Sequence, residues 1–232
     1  MLMKISRATL RRLIKEELNL LESIDFFGSE FLEFKNLVEE GENPESVAKT
    51  LGFPRIGSGA FRVVYGIPNS DFTLQISKDD NFYNKVEANN SMNTKYSDIF
   101  PKVFDAADDF SWILSERVRV ITDYIEFLDW FPETGYKFKN TLSSSLRPFW
   151  QALKLSVRKL NKKDETYSQE NLISGFGKLV KKLNKSILFN RIVSASAEFD
   201  IDVEDIDIGN VGVATRDEKD YFVILDASIF KK

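Results

Sequence analysis

Cysteine and histidine are both absent from this chain of 232 residues. The absence of cysteine excludes disulfide bonds and thiolate metal sites, and it is compatible with a reducing compartment. The absence of histidine excludes Ser-His-Asp triads, imidazole bases and histidine-ligated metals. Any chemistry of this protein must therefore come from Asp, Glu, Lys, Arg, Tyr or hydroxyl side chains.

Long hydrophobic runs are absent as well. No apolar run approaches the roughly 18 residues that a membrane span needs, and no secretory signal pattern opens the chain. We therefore expect a soluble, cytoplasmic protein that does not engage a membrane.

The balance of charge is close to even. The 32 basic and 36 acidic residues give a net charge of −4, which argues against a general nucleic-acid binder, although local basic runs remain. One such run, formed by Lys178, Lys181, Lys182 and Lys185, predicts a basic helix face. Such a face is more often a solvated surface than a binding patch.

The stretch from residue 57 to residue 78 predicts a glycine-rich turn carried on a tight β-hairpin. Gly57 and Gly59 flank Ser58, and glycines so placed let backbone N–H groups approach a phosphate without an intervening Cβ. Apolar and polar residues alternate on both sides of residues 68–71, which form a turn by composition. A lone GxG is weak evidence, but a GxG that opens a hairpin and is followed by a further catalytic constellation downstream is much stronger.

Hydrophobic periodicity and turn residues predict an α+β fold. We expect a first strand at 53–56, the two hairpin strands, and two more strands at 102–107 and 110–116, which together form a small antiparallel sheet of five strands. Two further strands are expected at 211–214 and 221–225. Helices are expected at 30–40, 44–51, 79–95, 122–131, 142–162 and 168–197, with Asn43 as the N-cap of the second.

The N-terminal residues 1–22 predict an amphipathic helix that begins after Ser6. One interpretation is a helix packed on the domain or a loosely attached arm. The other is an address segment, because the pattern resembles the basic amphipathic leaders of many tailed-bacteriophage proteins, some of which are packaged into capsids.

A second group of polar residues lies near the C-terminus. Asp205 stands five residues before Asn210, and Asp226 directly ends a predicted apolar strand. Carboxylate and amide oxygens are hard ligands that suit Mg²⁺, so they allow phosphoryl-transfer chemistry without histidine. The alternative is a solvated acidic loop, which is a commoner feature than an active site.

In their order, type and approximate spacing, these motifs resemble the protein-kinase-like superfamily. The motifs are GSGAFRVVY, a glutamate at Glu87, D-x-x-x-x-N at Asp205 and Asn210, and hydrophobic-Leu-Asp at Leu225 and Asp226. The resemblance extends from about residue 53 to residue 230 and is strongest to small kinase-like proteins of bacteriophages. It implies a two-lobed fold, with an N-terminal helical extension at 1–52, a sheet lobe at 53–118 and a truncated helical lobe at 119–232.

The resemblance also implies a role for each motif residue. Gly57, Ser58 and Gly59 would cover the phosphates of ATP, Val64 would cover the base, and Glu116–Val118 would form the hinge. Glu87 would be the helix glutamate and Asp205 the catalytic carboxylate. The expected Mg²⁺ ligands are Asn210 and Asp226.

Several residues depart from the family pattern. With the turn centred between residues 69 and 70, antiparallel pairing puts Gln75 opposite Val64, in the place of the lysine that contacts phosphates and the helix glutamate. Lys78 faces the opposite side of the strand and cannot simply substitute. Arg62 shares the parity of Val64, so it either supplies the missing positive charge or blocks the pocket.

Three function classes therefore stay open. The first is a phosphotransferase in which Arg62 compensates for Gln75, and the second is a pseudokinase that docks a host or phage protein. The third is a virion-packaged protein addressed by its N-terminal helix. The short stretch after Asp226 leaves no room for an activation segment or for the later helices of a peptide-substrate platform, which favours the second class where the substrate would be a protein.

Overall fold

A computed structural model describes residues 26–79, 81–92, 94–135, 146–160, 175–199, 201–203 and 206–225. The expected leader helix lies outside these residues. The described chain is a mixture of helices and antiparallel strands, and it divides into two compact units. The first unit contains the described residues up to Asn84 together with Phe104–Arg117, and the second contains Lys85–Val103 and the described residues from Val118 onward.

The first unit is built on a five-stranded sheet, as the sequence predicts. Its strands are β1 (Arg55–Ser58), β2 (Arg62–Gly66), β3 (Phe72–Ser77), β4 (Val103–Ala106, whose first residue belongs to the second unit) and β5 (Trp112–Glu116), in the spatial order β1-β2-β3-β5-β4. The β2–β3 hairpin pairs Val64 with Gln75, which confirms the predicted register. A register shift in β1 between Arg55 and Gly57 leaves Ile56 unpaired and exposed.

Two helices precede the sheet, α1 (Ser29–Glu39) and α2 (Pro44–Thr50). Asn43 caps α2, because its side chain accepts a hydrogen bond of 3.1 Å from the Ser46 backbone N–H. Phe31 and Phe34 of α1 are fully buried and pack edge-to-face against Trp112 of β5. The hydrophobic core of the sheet thus includes Phe31, Phe34, Val47 and Ala48, which lie in the stretch predicted as a helical extension.

The second unit contains most of α3 (Phe82–Met92), which begins in the first unit. It also contains α4 (Tyr124–Asp129), α5 (Arg147–Leu160), α6 (Gly175–Leu183) and α7 (Ile187–Phe199). Its sheet has three strands in the order β6-β7-β8, with β6 at Arg119–Val120, β7 at Val211–Arg216 and β8 at Lys219–Ile224. No helix in the described part of the chain is long and apolar enough to cross a membrane.

Aromatic packing forms the core of the second unit. Phe127, Phe131, Phe149 and Phe222 are buried together, with neighbouring ring centroids 4.9–5.8 Å apart. A short 3₁₀ helix, Thr94–Tyr96, is held against this core from α7, because Tyr96 donates a hydrogen bond of 2.9 Å to Glu198. Arg191, also in α7, pairs with Asp98.

One predicted helix is wrong. Residues 168–197 do not form a single helix: α6 ends at Leu183 and α7 begins at Ile187. Ser186 accounts for the break, because its hydroxyl accepts a hydrogen bond of 3.3 Å from the Phe189 N–H and caps the new helix. Strand β6 was not predicted, since two residues are too few to show an alternation.

Candidate functional site

The glycine-rich turn joins β1 to β2 in the first unit. The Gly59 N–H donates a hydrogen bond of 2.9 Å to the Arg62 carbonyl and closes the turn. A Cβ added at Gly59 would have no neighbour within 4 Å, and its φ lies outside the left-handed region. Neither a close contact nor the backbone conformation therefore requires glycine here, and the open space leaves room for a ligand to approach the turn.

Behind this turn, Arg62 and Gln75 face the same side of the sheet. The Arg62 guanidinium donates a hydrogen bond of 2.7 Å from Nη1 to the side-chain oxygen of Gln75. Arg62 is half-buried and Gln75 is buried. The structure thus places the Arg62 guanidinium against Gln75, the position where the resemblance expects a lysine.

A chain of hydrogen bonds continues from Gln75 across the sheet. Gln75 Nε2 donates to the Ser115 hydroxyl at 2.9 Å, and Ser115 Oγ lies 3.0 Å from Thr73 Oγ1. Thr73 reaches the Glu116 carbonyl at 3.4 Å, a long and weak contact. Because Arg62 can only donate, Gln75 must turn its oxygen toward Arg62 and its NH₂ toward Ser115.

The other residues predicted in this unit lie close by. Val64 is half-buried between Arg62 and Gly66 along β2, on the same side of the strand as Arg62. Glu116, the first residue of the predicted hinge, is buried at the end of β5. Ser58 is exposed at the end of β1.

Two more contacts hold the glycine turn in place. Lys78, which sequence reasoning set aside, donates a hydrogen bond of 2.6 Å from Nζ to the Gly59 carbonyl. Phe61, at the tip of the turn, stacks on Tyr83 of α3 with ring centroids 4.1 Å apart. The glycine turn is therefore also contacted by a basic side chain, that of Lys78.

The remaining predicted site residues do not belong to the first unit. Glu87, Val118 and Asn210 lie in the second unit, where Glu87 is buried on α3. Asn210 follows a turn in which its N–H donates to the Asp207 carbonyl at 3.0 Å. Asp205 and Asp226 lie outside the described residues, so their predicted roles stay predictions.

The described residues give no support of their own for a metal centre. Within the ranges that the structure describes, no group of three or more acidic side chains could hold a metal ion. Of the two predicted magnesium ligands, Asn210 is described and Asp226 is not, and the predicted catalytic carboxylate Asp205 also lies outside these ranges. We therefore treat magnesium binding by Asn210 and Asp226 as a proposal.

Sequence reasoning missed Thr73, Ser115 and Tyr83. Thr73 and Ser115 are directly paired across β3 and β5, but that pairing depends on a strand 42 residues further along the chain. The alternation of polar Thr73 and Gln75 with apolar neighbours was the available signal for a polar sheet face. No comparable signal identifies Tyr83 as the stacking partner of Phe61.

Comparisons with known proteins identify no family for this chain. No protein-family model matches the chain, and a search of curated proteins finds no match.

Proposed function

We propose that this protein binds Mg²⁺–ATP in the manner of a kinase-like protein, and that the glycine turn and Arg62 of the first unit contact the phosphates. The observation that carries the proposal is the 2.7 Å hydrogen bond from Arg62 to Gln75. This hydrogen bond supports the hypothesis that Arg62 supplies the positive charge that a lysine in the place of Gln75 would carry.

The physical argument starts with the amide. A glutamine can orient a guanidinium without neutralising it, because the amide carries no charge. Gln75 is itself oriented by Ser115, so it presents a defined acceptor to the guanidinium. A guanidinium presents N–H donors in a planar fork that matches phosphate oxygens, and such charge-assisted hydrogen bonds are roughly twice as strong as neutral ones.

The glycine turn supplies the second part of the proposed phosphate contact. Gly57 and Gly59 present backbone without a side chain, and a Cβ at Gly57 would meet only Val64 at ordinary contact distance, 3.7 Å. Lys78 lies at the same turn through its 2.6 Å hydrogen bond to the Gly59 carbonyl. A polyphosphate would thus meet two cations and an uncovered backbone.

The remaining roles follow from the resemblance. Val64 would cover the adenine, and the backbone of Glu116–Val118 would bind its edge. Asn210 and Asp226 would hold the magnesium ion, which neutralises phosphate charge when bound. Transfer of the phosphoryl group would further require the carboxylate of Asp205.

Thermal unfolding with and without Mg²⁺–ATP tests the proposal. A ligand at a hundred times its Kd stabilises the folded state by about 2.7 kcal/mol, so the wild type should melt at a higher temperature with the nucleotide. Arg62→Ala should abolish this shift, and Gln75→Lys in the Arg62→Ala background should restore it. Arg55→Ala is the matched control, because Arg55 is an exposed arginine in the same sheet.

The outcomes separate the alternatives. If Arg62 fills the nucleotide position instead, Arg62→Ala creates a shift that the wild type lacks, and the proposed role of Arg62 is wrong. If neither the wild type nor any variant shifts, nucleotide binding is refuted and the partner-binding and virion hypotheses remain. A radiolabelled-phosphate assay on the same proteins, with Asp205→Asn as the control, then decides whether binding leads to transfer.

A further inference from the structure

The segment of residues 136–199, which contains α5, α6 and α7, carries a charge opposite to that of the whole chain. Residues 136–199 contain 13 basic and 4 acidic residues, a net charge of +9, whereas the other residues contain 19 basic and 32 acidic ones, a net charge of −13. The overall charge of −4 therefore hides a strong separation of sign along the sequence. Surface helices more commonly mix both signs.

Three lysines display this charge on α6 and the turn after it. Lys178, Lys181 and Lys185, which we call the lysine row, are all exposed. The opposite face of α6 is committed to the core, since Leu179, Val180 and Leu183 are buried. Lys182 differs from the row, because it is half-buried and donates a hydrogen bond of 3.2 Å to the Thr134 carbonyl.

The neighbouring helix adds to the positive charge. Helix α5 packs against α6, and Arg147, Gln151 and Lys154 are exposed at spacings of four and three residues, which places them along one side of α5. Neither α5 nor α6 contains an acidic residue. Glu198, the acidic residue of α7, pairs with Lys95 and Tyr96.

A row of like charges lowers the stability of the helix that carries it. Like charges three and four residues apart on a helix destabilise it by amounts similar to the gain from an opposite pair. The lysine row keeps this repulsion, although a glutamate at any of its positions would relieve it. An anionic partner would remove the repulsion and would explain why the row is purely basic.

We propose that the lysine row binds the phosphodiester backbone of a nucleic acid, without reading its sequence. Lysine is a compact, strongly hydrated charge on a flexible stem, which suits a dense row of phosphates that need no fixed geometry. Arginine would be expected for bidentate recognition of peptide carboxylates. Insertion into a lipid surface is disfavoured, because the apolar face of α6 is already buried in the core.

Fluorescence anisotropy with the full chain tests this inference. The probes are labelled mixed-sequence 20-mers, single-stranded and duplex, titrated over a range of sodium chloride concentrations. Three phosphate contacts predict that log K falls against log salt with a slope of about −2 to −3. Replacing Lys178, Lys181 and Lys185 by glutamine should weaken binding at low salt by roughly tenfold or more and bring the slope toward zero.

Two variants control for charge and folding. The triple variant Lys49→Gln, Lys85→Gln and Lys219→Gln removes the same charge from exposed positions outside the row and should leave binding nearly unchanged. Arginine at the three row positions keeps the charge and should retain the affinity. The glutamine variant of the row should melt no lower than the wild type, because a repulsion is removed.

Other results would overturn the proposal. Equal loss in both glutamine variants would mean that only net charge matters. Binding of polyglutamate or of anionic phosphatidylserine vesicles as tight as that of the oligonucleotides would assign the row to an acidic protein or a membrane. Absence of salt-dependent binding in the wild type would show that the row is a solvated surface. None of these results bears on the ATP proposal, which concerns the first unit.

Discussion

Gln75 lies where the resemblance to kinase-like proteins predicts a lysine, and its amide side chain carries no charge. The sequence predicts its register opposite Val64, and the structure confirms that pairing. What the sequence could not show is that Gln75 accepts from Arg62 and donates to Ser115. The alternation of side chains along the strand left two possible roles for Arg62, as a cation that serves the site or as an obstruction of it.

Substituting Gln75 with glutamate separates the structural role of this side chain from its proposed role in binding. The Gln75→Glu side chain would form an ion pair with Arg62, and Ser115 could donate its hydroxyl proton to the new carboxylate. Folding should therefore be retained. Anion binding should weaken by roughly tenfold to a hundredfold, since hydrogen bonds to charged groups contribute about 1.5–3 kcal/mol.

Isothermal titration with Mg²⁺–ATP measures this effect, and urea unfolding checks the fold. Asn69→Asp is the matched control, because Asn69 lies in the exposed β2–β3 turn of the same unit and tolerates a φ of 53° that Asp also adopts. Equal ATP affinity in Gln75→Glu and Asn69→Asp would contradict a role for the Arg62 charge.

Asp226 is one of the two residues proposed to bind the magnesium ion. Asp226→Ala should abolish magnesium-dependent nucleotide binding while leaving the urea midpoint nearly unchanged, because a carboxylate that directly follows a predicted apolar strand serves a metal more than a core. Titration with ATP in the presence and absence of magnesium provides the measurement. Asp220→Ala, at an exposed position in the preceding strand, is the control. Undiminished magnesium dependence in Asp226→Ala would refute the assignment.

At the scale of elements, local signals predicted the structure well where they were strong. The five strands of the first sheet and the Asn43 cap are confirmed because alternation, turn residues and a capping side chain all lie within a few residues. The long helix at 168–197 was wrong because an apolar period continued on both sides of Ser186 and concealed its capping role. The polar chain through Ser115 could not be predicted, since it requires the pairing of β3 with β5.

The hairpin of β7 and β8 was also longer than predicted. Its strands pair as far as Arg216 and Lys219, so only Asp217 and Glu218 form the turn, with φ values of 49° and 62°. Two successive residues with positive φ are typical of a type I′ turn, which favours Asn-Gly or Asp-Gly. Glutamate is not among the residues that this turn favours at its second position, so the sequence does not predict so tight a turn.

Replacing Glu218 with glycine should stabilise this hairpin. Glycine adopts a positive φ without steric cost, whereas a left-handed conformation costs other L-residues roughly 1–2 kcal/mol. We expect Glu218→Gly to raise the free energy of unfolding by about 0.5–1 kcal/mol, after the greater entropy of glycine in the unfolded chain is subtracted. Urea denaturation measures the change. Lys219→Gly, one residue further into the strand, should destabilise by a similar amount, and stabilisation by both variants would refute the turn argument.

At the scale of the whole molecule, we expect titration to leave the free energy of unfolding unchanged near neutral pH. The chain has no histidine, the residue that ordinarily titrates between about pH 5 and 8. A hydrogen bond from Lys49 lowers the pKa of Glu45, and one from Lys95 lowers the pKa of Glu198. The backbone N–H of Ser111 likewise lowers the pKa of Asp109.

The basic partners and one tyrosine are displaced in the other direction. The hydrogen bond from Lys49 to Glu45 raises the pKa of Lys49, and the hydrogen bond from Lys95 to Glu198 raises the pKa of Lys95. Burial raises the pKa of Tyr65. These six pKa values thus all move away from neutrality.

We therefore expect the free energy of unfolding to be level between about pH 5 and 9. The three carboxyl groups have a lower pKa in the folded state, so their contribution is present above about pH 4 and is lost as the pH falls through the folded values. Lys49, Lys95 and Tyr65 have a higher pKa in the folded state, so their contribution is present below about pH 10 and is lost as the pH rises through it. Urea midpoints measured at intervals from about pH 3 to 11 check both limbs. A midpoint that changes between pH 6 and 8 would contradict this expectation, because no histidine is present to produce it.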